Sequence, residues 1–158
     1  MSVDLFAYGV LMLPELMRAL VGREFPSRPA VLPDHQRYTV RKAGYAPVPA
    51  TVPERGARVE GVLVAGVDPE TLAILDDFEE IAAGVYRRVP VAILDGGVER
   101  SVQAYLAGPK LADCLGEIWD PVAFTPFHDR YRVQIIPRFL QQRRVLQRRP
   151  LDEQEPNP

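Results

Sequence analysis

Val85-Tyr86-Arg87-Arg88-Val89-Pro90-Val91-Ala92-Ile93-Leu94-Asp95-Gly96-Gly97-Val98-Glu99-Arg100-Ser101-Val102-Gln103-Ala104-Tyr105-Leu106 is the stretch on which the fold turns. Two extended runs, residues 85–94 and 98–106, flank Asp95-Gly96-Gly97, a short turn signal that joins neighbouring antiparallel strands. Upstream, residues 58–67 form another Val-rich extended run. Asp68-Pro69-Glu70 then supplies an N-cap, a proline at the first helical position and an acid in the first turn. A helix is therefore predicted through Leu72, Ile74, Leu75 and Phe78.

Working outward to the N-terminus, residues 3–8 read as a buried first strand that Gly9 breaks. Pro14, with Leu16, Met17 and Leu20 at helical spacing, opens a helix that Gly22 closes. Residues 28–32 and 36–41 look like two extended pieces separated by Pro33-Asp34. Tyr45-Ala46-Pro47-Val48-Pro49-Ala50-Thr51-Val52-Pro53 follows. Proline lacks the N–H that a central ladder needs, so this connection reads as a loop or sheet edge. Toward the C-terminus, Asp120-Pro121 starts a helical region that Pro137 should kink or interrupt. Trp119, Phe124, Phe127 and Tyr131 can pack that region on the core, and a homodimer contact is the other use for them.

Strands in consecutive, hairpin-connected order with helices inserted predict an α+β domain. Its sheet should be mixed and largely antiparallel, curled toward a barrel, with helices on the flanks. With 158 residues and no repeat or linker, one domain over residues 1–147 is expected. Residues 148–158 are polar, acidic and proline-containing, and read as a disordered tail.

The formal net charge is −2, so the whole molecule does not present the field that nucleic acid or an anionic membrane would select. Arg138, Arg143, Arg144, Arg148 and Arg149 are a local exception. Cations late in a helix also complement its dipole, and Phe139 is the one aromatic nearby that could stack on a base, so no nucleic-acid partner is expected. A single cysteine, Cys114, excludes an intrachain disulfide and fits a reducing compartment. Its neighbours offer no activating setting for a nucleophile partnered by His35 or His128. Two histidines and one cysteine are too few for a dedicated zinc site, and no metal or cofactor is expected. The absence of a basic, apolar leader and of a bilayer-length apolar run points to the cytoplasm and away from membranes.

Four acids crowd the end of the second helix: Asp76, Asp77, Glu79 and Glu80. At about 100° per residue with Leu72 at zero, Leu75 falls about 60° away and Glu79 only about 20° away. Glu79 is thus predicted to face inward, whereas Asp76, Asp77 and Glu80 fit a solvated face. An inward carboxyl at a helix C-terminus should have a raised pKa, from desolvation and from the negative end of the dipole. Such a group suits general acid/base chemistry. Two duller arrangements satisfy the same sequence: a helix that ends before Glu79 and leaves it exposed, or a structural pair with Arg87 or Arg88.

Tyr8-Gly9-Val10-Leu11 lies where the first strand gives way to a helix. Backbone N–H groups in such a turn can converge on an anion, and Gly9 permits positive φ and close approach of a ligand. An ordinary tight turn accounts for the same residues, and neither of the usual phosphate-loop glycine patterns is present.

In order, Leu5-Phe6-Ala7-Tyr8-Gly9-Val10-Leu11, Val48-Pro49-Ala50-Thr51-Val52-Pro53, Val59-Glu60-Gly61-Val62-Leu63-Val64, Leu75-Asp76-Asp77-Phe78-Glu79-Glu80, Tyr86-Arg87-Arg88-Val89-Pro90-Val91 and Ala104-Tyr105 resemble the γ-glutamylcyclotransferase-like family, which includes the avirulence-induced-gene-like proteins. The resemblance spans roughly residues 3–107 and is carried by the order of short motifs. It implies a compact β-barrel flanked by helices, with no metal or organic cofactor. It also implies a small-molecule γ-glutamyl conjugate as substrate, cleaved to 5-oxoproline and a free amine or amino acid. By this resemblance Glu79 is the acid/base residue and Tyr8, Gly9, Val10 and Leu11 cradle the substrate, with Tyr86, Arg88 and Tyr105 at the pocket. Val10 departs from a common Thr or Ser, and Glu80 from a common Gly or Asp, which leaves the pocket entrance and substrate choice open. A non-catalytic binding module on the same scaffold and a related amide hydrolase or acyl transferase are the competing readings.

Overall fold

The computed structural model describes residues 1–44 and 46–148. Tyr45 and the expected tail beyond residue 148 lie outside the described residues. The strands are β1 (Val3–Ala7), β2 (Ser27–Val40), β3 (Pro49–Val67), β4 (Tyr86–Asp95), β5 (Val98–Ala107) and β6 (Leu115–Ile118). They form one sheet in the order β3-β1-β5-β4-β2-β6, in which β2 also pairs with β3. The sheet therefore curls back on itself, through a single bridge between Val31 of β2 and Leu94 of β4. All pairings are antiparallel except β1 with β5. The predicted α+β class and curled, largely antiparallel sheet hold.

The hairpin behaves as its sequence dictates. β4 and β5 pair from Tyr86↔Ala107 to Asp95↔Val98. Gly96 and Gly97 have φ of 58° and 85°, the two positive values that a type I′ turn requires. Arg28 of β2 binds Asp95 through both carboxylate oxygens at 2.8 and 2.6 Å, and Arg100 adds an ion pair at 2.6 Å. These hydrogen bonds, Arg28's foremost, hold the Asp95 carboxyl down at about 2.

One region differs from expectation, and the proline-rich connection takes the sheet-edge form expected of it. β2 is continuous from Ser27 to Val40, and Pro33-Asp34 marks a bulge inside it, not a break. Asp34 takes a φ of 57°, and its carboxylate accepts the Gly56 N–H at 3.0 Å. The proline-rich connection is the first part of β3, paired with β2 from Thr39↔Pro49 to His35↔Pro53. Val48 O accepts the Val40 N–H, so Pro49 faces the other way, and its carbonyl takes the Tyr86 hydroxyl at 2.9 Å. By alternation the absent N–H groups of Pro49 and Pro53 face away from β2, and no ladder bond is lost.

Alternating side chains divide the core in two. Phe6, Leu32, Val59, Leu63, Ile93 and Ala104 fill the inside of the curl together with other strand residues. Leu5, Ala7, Val64 and Tyr105 face the helices instead. The first helix is α1 (Pro14–Val21), and α2 (Pro69–Phe78) is N-capped by Asp68, whose carboxylate accepts from Thr71 N at 3.1 Å and Thr71 Oγ1 at 2.7 Å. α3 (Pro121–Phe124), α4 (His128–Arg130) and α5 (Ile136–Gln147) complete the chain. Phe124 is buried against Trp119, Phe127 and Tyr131, so the aromatic run does pack this region on the core. Pro137 does not break the region. Residues Tyr131–Ile135 form a π-helical turn just before it, and α5 continues beyond. A proline has no N–H to donate and its ring crowds the carbonyl four residues back, and the wider π turn accommodates both.

Candidate active site

A cavity of about 850 Å³ opens between the end of β1, the C-terminus of α2 and the α4–α5 segment. Tyr8, Gly9, Val10, Leu11, Glu79, Tyr86 and Tyr105, seven of the eight predicted site residues, line it. Arg88 does not. Its guanidinium binds Asp76 at 2.9 and 3.2 Å and also reaches Gln103, so it stands behind the wall and braces it. Arg88, expected at the pocket, stands outside its lining, because a cation on β4 finds the acid directly opposite on α2 first.

Glu79 is the C-cap of α2, one residue beyond the last helical residue, and its N–H still donates to Leu75 O at 2.9 Å. That bond keeps the residue on the face the helical wheel assigned. The early end of the helix, one of the duller arrangements, is thus observed, yet the side chain lines the cavity. The residue is partly exposed, and its carboxyl is desolvated enough to be pushed up to about 8. Burial is the main cause, followed by the charges of Glu80 and Asp76.

Of the three neighbouring acids expected on a solvated face, Asp77 and Glu80 are exposed and Asp76 is not. Asp76 is partly buried, accepting from Arg88 and from the Tyr105 hydroxyl at 2.7 Å. Asp77 pairs with Arg143 of α5 at 2.8 Å and lines the cavity, as does Glu80. Glu80 has a φ of 53°, a conformation that favours glycine, and the Gly that the family resemblance placed there has this cause. The tyrosines are locked from behind: Tyr8 donates to Tyr105 O, Tyr105 to Asp76 and Tyr86 to Pro49 O. Burial first, and Glu79 among the nearby charges, drive the Tyr8 and Tyr105 hydroxyls well above the usual phenol range.

The turn after β1 is built for close packing. Gly9 has a φ of −137°, so the expected positive φ is not the reason for glycine. A Cβ there would stand 2.6 Å from Pro49 Cγ. The 3-10 turn over Val10–Met12 begins its bonding with Met12 N–H to Gly9 O at 3.1 Å, which leaves the Val10 and Leu11 N–H groups without an acceptor inside it. Arg37, which the sequence did not single out, fixes this turn by donating to Tyr8 O at 2.7 Å. Its guanidinium lies 4.7 Å from the Trp119 ring centroid, and burial lowers its pKa. Among the described residues no group of three or more His, Cys, Asp or Glu could hold a metal ion. No described helix is long and apolar enough to cross a membrane.

The far wall is a ridge that the sequence motifs do not mark. Arg130, Gln134, Arg138 and Gln142 line the cavity at a spacing of four, beside Tyr131, Ile135, Phe139 and Arg143. The spacing of four is visible in the sequence, but of this ridge only Arg138 belongs to the late arginines weighed there as a nucleic-acid patch or a complement to the helix dipole.

Residues 5–120 match the model of a family described as "Gamma-glutamyl cyclotransferase, AIG2-like". The chain is 30% identical to AIG2-like protein D of Arabidopsis thaliana, a match covering 74% of this chain and 75% of that protein. Its fold is similar to a solution structure from Arabidopsis thaliana, with a TM-score of 0.62 and 24% identity over 94% of each chain. It is also similar to a structure titled "Gamma-glutamyl cyclotransferase", with a TM-score of 0.63 and 16% identity over 90% of this chain and 99% of the other.

Proposed function

Because this chain belongs to the gamma-glutamyl cyclotransferase, AIG2-like family, we propose that it cleaves a γ-glutamyl amide by attack of the substrate's own α-amine. The observation that carries the reading is a shared cavity: the desolvated carboxyl of Glu79 and the Val10 and Leu11 segment line the same space. N–H groups without an acceptor among the described residues can hold the α-carboxylate or polarise a carbonyl, and a carboxyl with its pKa raised to about 8 can take and return a proton.

The chemistry balances without water. The α-amine nitrogen attacks the γ-carbonyl carbon and closes a five-membered lactam. Glu79 accepts a proton from that nitrogen and delivers it to the departing nitrogen as the amide C–N bond breaks. 5-Oxoproline and a free amine or amino acid leave. Folding the substrate so that both reacting groups meet can lower the barrier by about 7–11 kcal/mol in favourable intramolecular cases. Tyr8, Tyr86 and Tyr105 have hydroxyls committed to the protein, so they shape the cavity with their rings.

The test is to incubate the protein with γ-glutamyl dipeptides and γ-glutamyl amines and assay 5-oxoproline. Release from at least one substrate class, lost in Glu79→Gln, is the expected result. Free glutamate in place of 5-oxoproline would instead identify a hydrolase, and no product from any substrate would remove the enzymatic reading.

A further inference from the structure

We infer that Arg138 and Arg130 form an anion-reading wall that selects γ-glutamyl conjugates whose departing half carries a carboxylate. This inference rests on the proposed cyclotransferase reading, since that reading places the reacting amide at Glu79, on the opposite wall.

The first ground is charge. Both arginines are exposed at the cavity and have no hydrogen bond or ion pair with any described residue, whereas Arg143 is neutralised by Asp77. Gln134 and Gln142, on the same ridge, carry no charge to balance them. The cavity's acids, Asp77, Glu79 and Glu80, all belong to the end of α2. The cavity is therefore polarised, acidic where the α-amine must react and cationic across from it. Clefts with one sign of charge on low-dielectric walls concentrate ligands of the opposite sign.

The second ground is room. A cavity of about 850 Å³ lies toward the upper end of the roughly 300–1,000 Å³ usual for small-molecule sites, so it accommodates more than a glutamyl group. The third is construction. The π turn before Pro137 lies within the ridge that carries Arg130, Gln134 and Arg138 along the cavity. Arginine presents planar, forked donors that fit a carboxylate, and a departing amine with a second cation would meet like charge there.

The experiment compares γ-glutamylglycine, which has a distal carboxylate, with γ-glutamylethylamide, which has none. Both are tested for 5-oxoproline release by the wild-type chain, and for calorimetric binding to Glu79→Gln with and without Arg138→Ala. The wild type should favour the glycine conjugate by tenfold or more in kcat/KM, on the order expected for one charge-assisted contact. Arg138→Ala should erase most of that ratio through KM, Arg138→Lys should restore part of it, and added salt should weaken it. Equal use of both substrates, or a ratio unmoved by Arg138→Ala, would overturn the inference and leave the cyclotransferase reading standing. Arg138-dependent preference in binding with no 5-oxoproline from either substrate would support the wall and remove the enzyme. No binding of either compound would overturn both. Arg138 is exposed, so its loss opens no core.

Discussion

The two walls of the cavity are built on opposite principles. On the α2 and β1 side the groups that frame Glu79 are tied down from behind: Asp76 by Arg88 and Tyr105, Tyr86 by Pro49, and the β1 turn by Arg37. On the α5 side Arg130, Arg138, Gln134 and Gln142 are exposed along one helical ridge. Proton transfer needs a carboxyl shielded from water and fixed in place, whereas reading a variable group needs long side chains that can adjust. The contrast assigns chemistry to the first wall and recognition to the second.

The largest effect expected from a single change is on the chemical wall. Glu79→Gln should lower turnover by about 10²–10⁴-fold with the fold retained. The same variant should gain stability. Burial raises the carboxyl's pKa from 4.5 to about 8, so across that window the native chain keeps a proton that the unfolded chain has released, and wild-type stability falls as pH rises. Denaturation at pH 5 and pH 8 should show the variant's advantage growing to a few kcal/mol at the higher pH, at about 1.4 kcal/mol per pH unit.

Gly9→Ala ranks next. Its Cβ would overlap Pro49 Cγ, and displacing the turn should cost about 1–3 kcal/mol of stability and reduce turnover together. Unchanged melting and activity would mean that β3 yields more easily than its pairing suggests. Arg88→Met should leave the partly buried Asp76 without its cation and cost about 1–3 kcal/mol, measurable by urea unfolding. If Arg88 instead contacts ligand, that variant would raise KM at unchanged stability. The smallest effect is electrostatic. Glu80→Gln removes the larger of the two charges that raise Glu79, so the pH–rate inflection should move below about 8, and further than Asp76→Asn moves it. The reverse order would mean that Asp76, not Glu80, exerts the larger charge effect on Glu79.

The same contrast explains what could be read from residues alone. The hairpin is written in Asp95-Gly96-Gly97, α2 in Asp68-Pro69-Glu70 and the inward face of Glu79 in its spacing from Leu72 and Leu75. These are local rules, satisfied within a few residues. Long-range choices leave no such local mark. Nothing local says that the prolines of early β3 face away from β2, that Asp76 rather than Glu79 takes Arg88, or that Pro33-Asp34 is a bulge. The basic ridge from Arg130 to Gln142 had its spacing of four in plain view. Its use depended on α5 crossing the cavity mouth, which no residue within the segment dictates.

The most direct test of the central claim is a carbon-detected NMR titration of the Glu79 side-chain carboxyl, assigned by difference against Glu79→Gln. A midpoint near 8 is the expected result, the value of a carboxyl desolvated between Glu80 and Asp76. A midpoint near 4.5 would mean that water reaches Glu79 freely, and the cavity would then hold no proton carrier suited to the reaction.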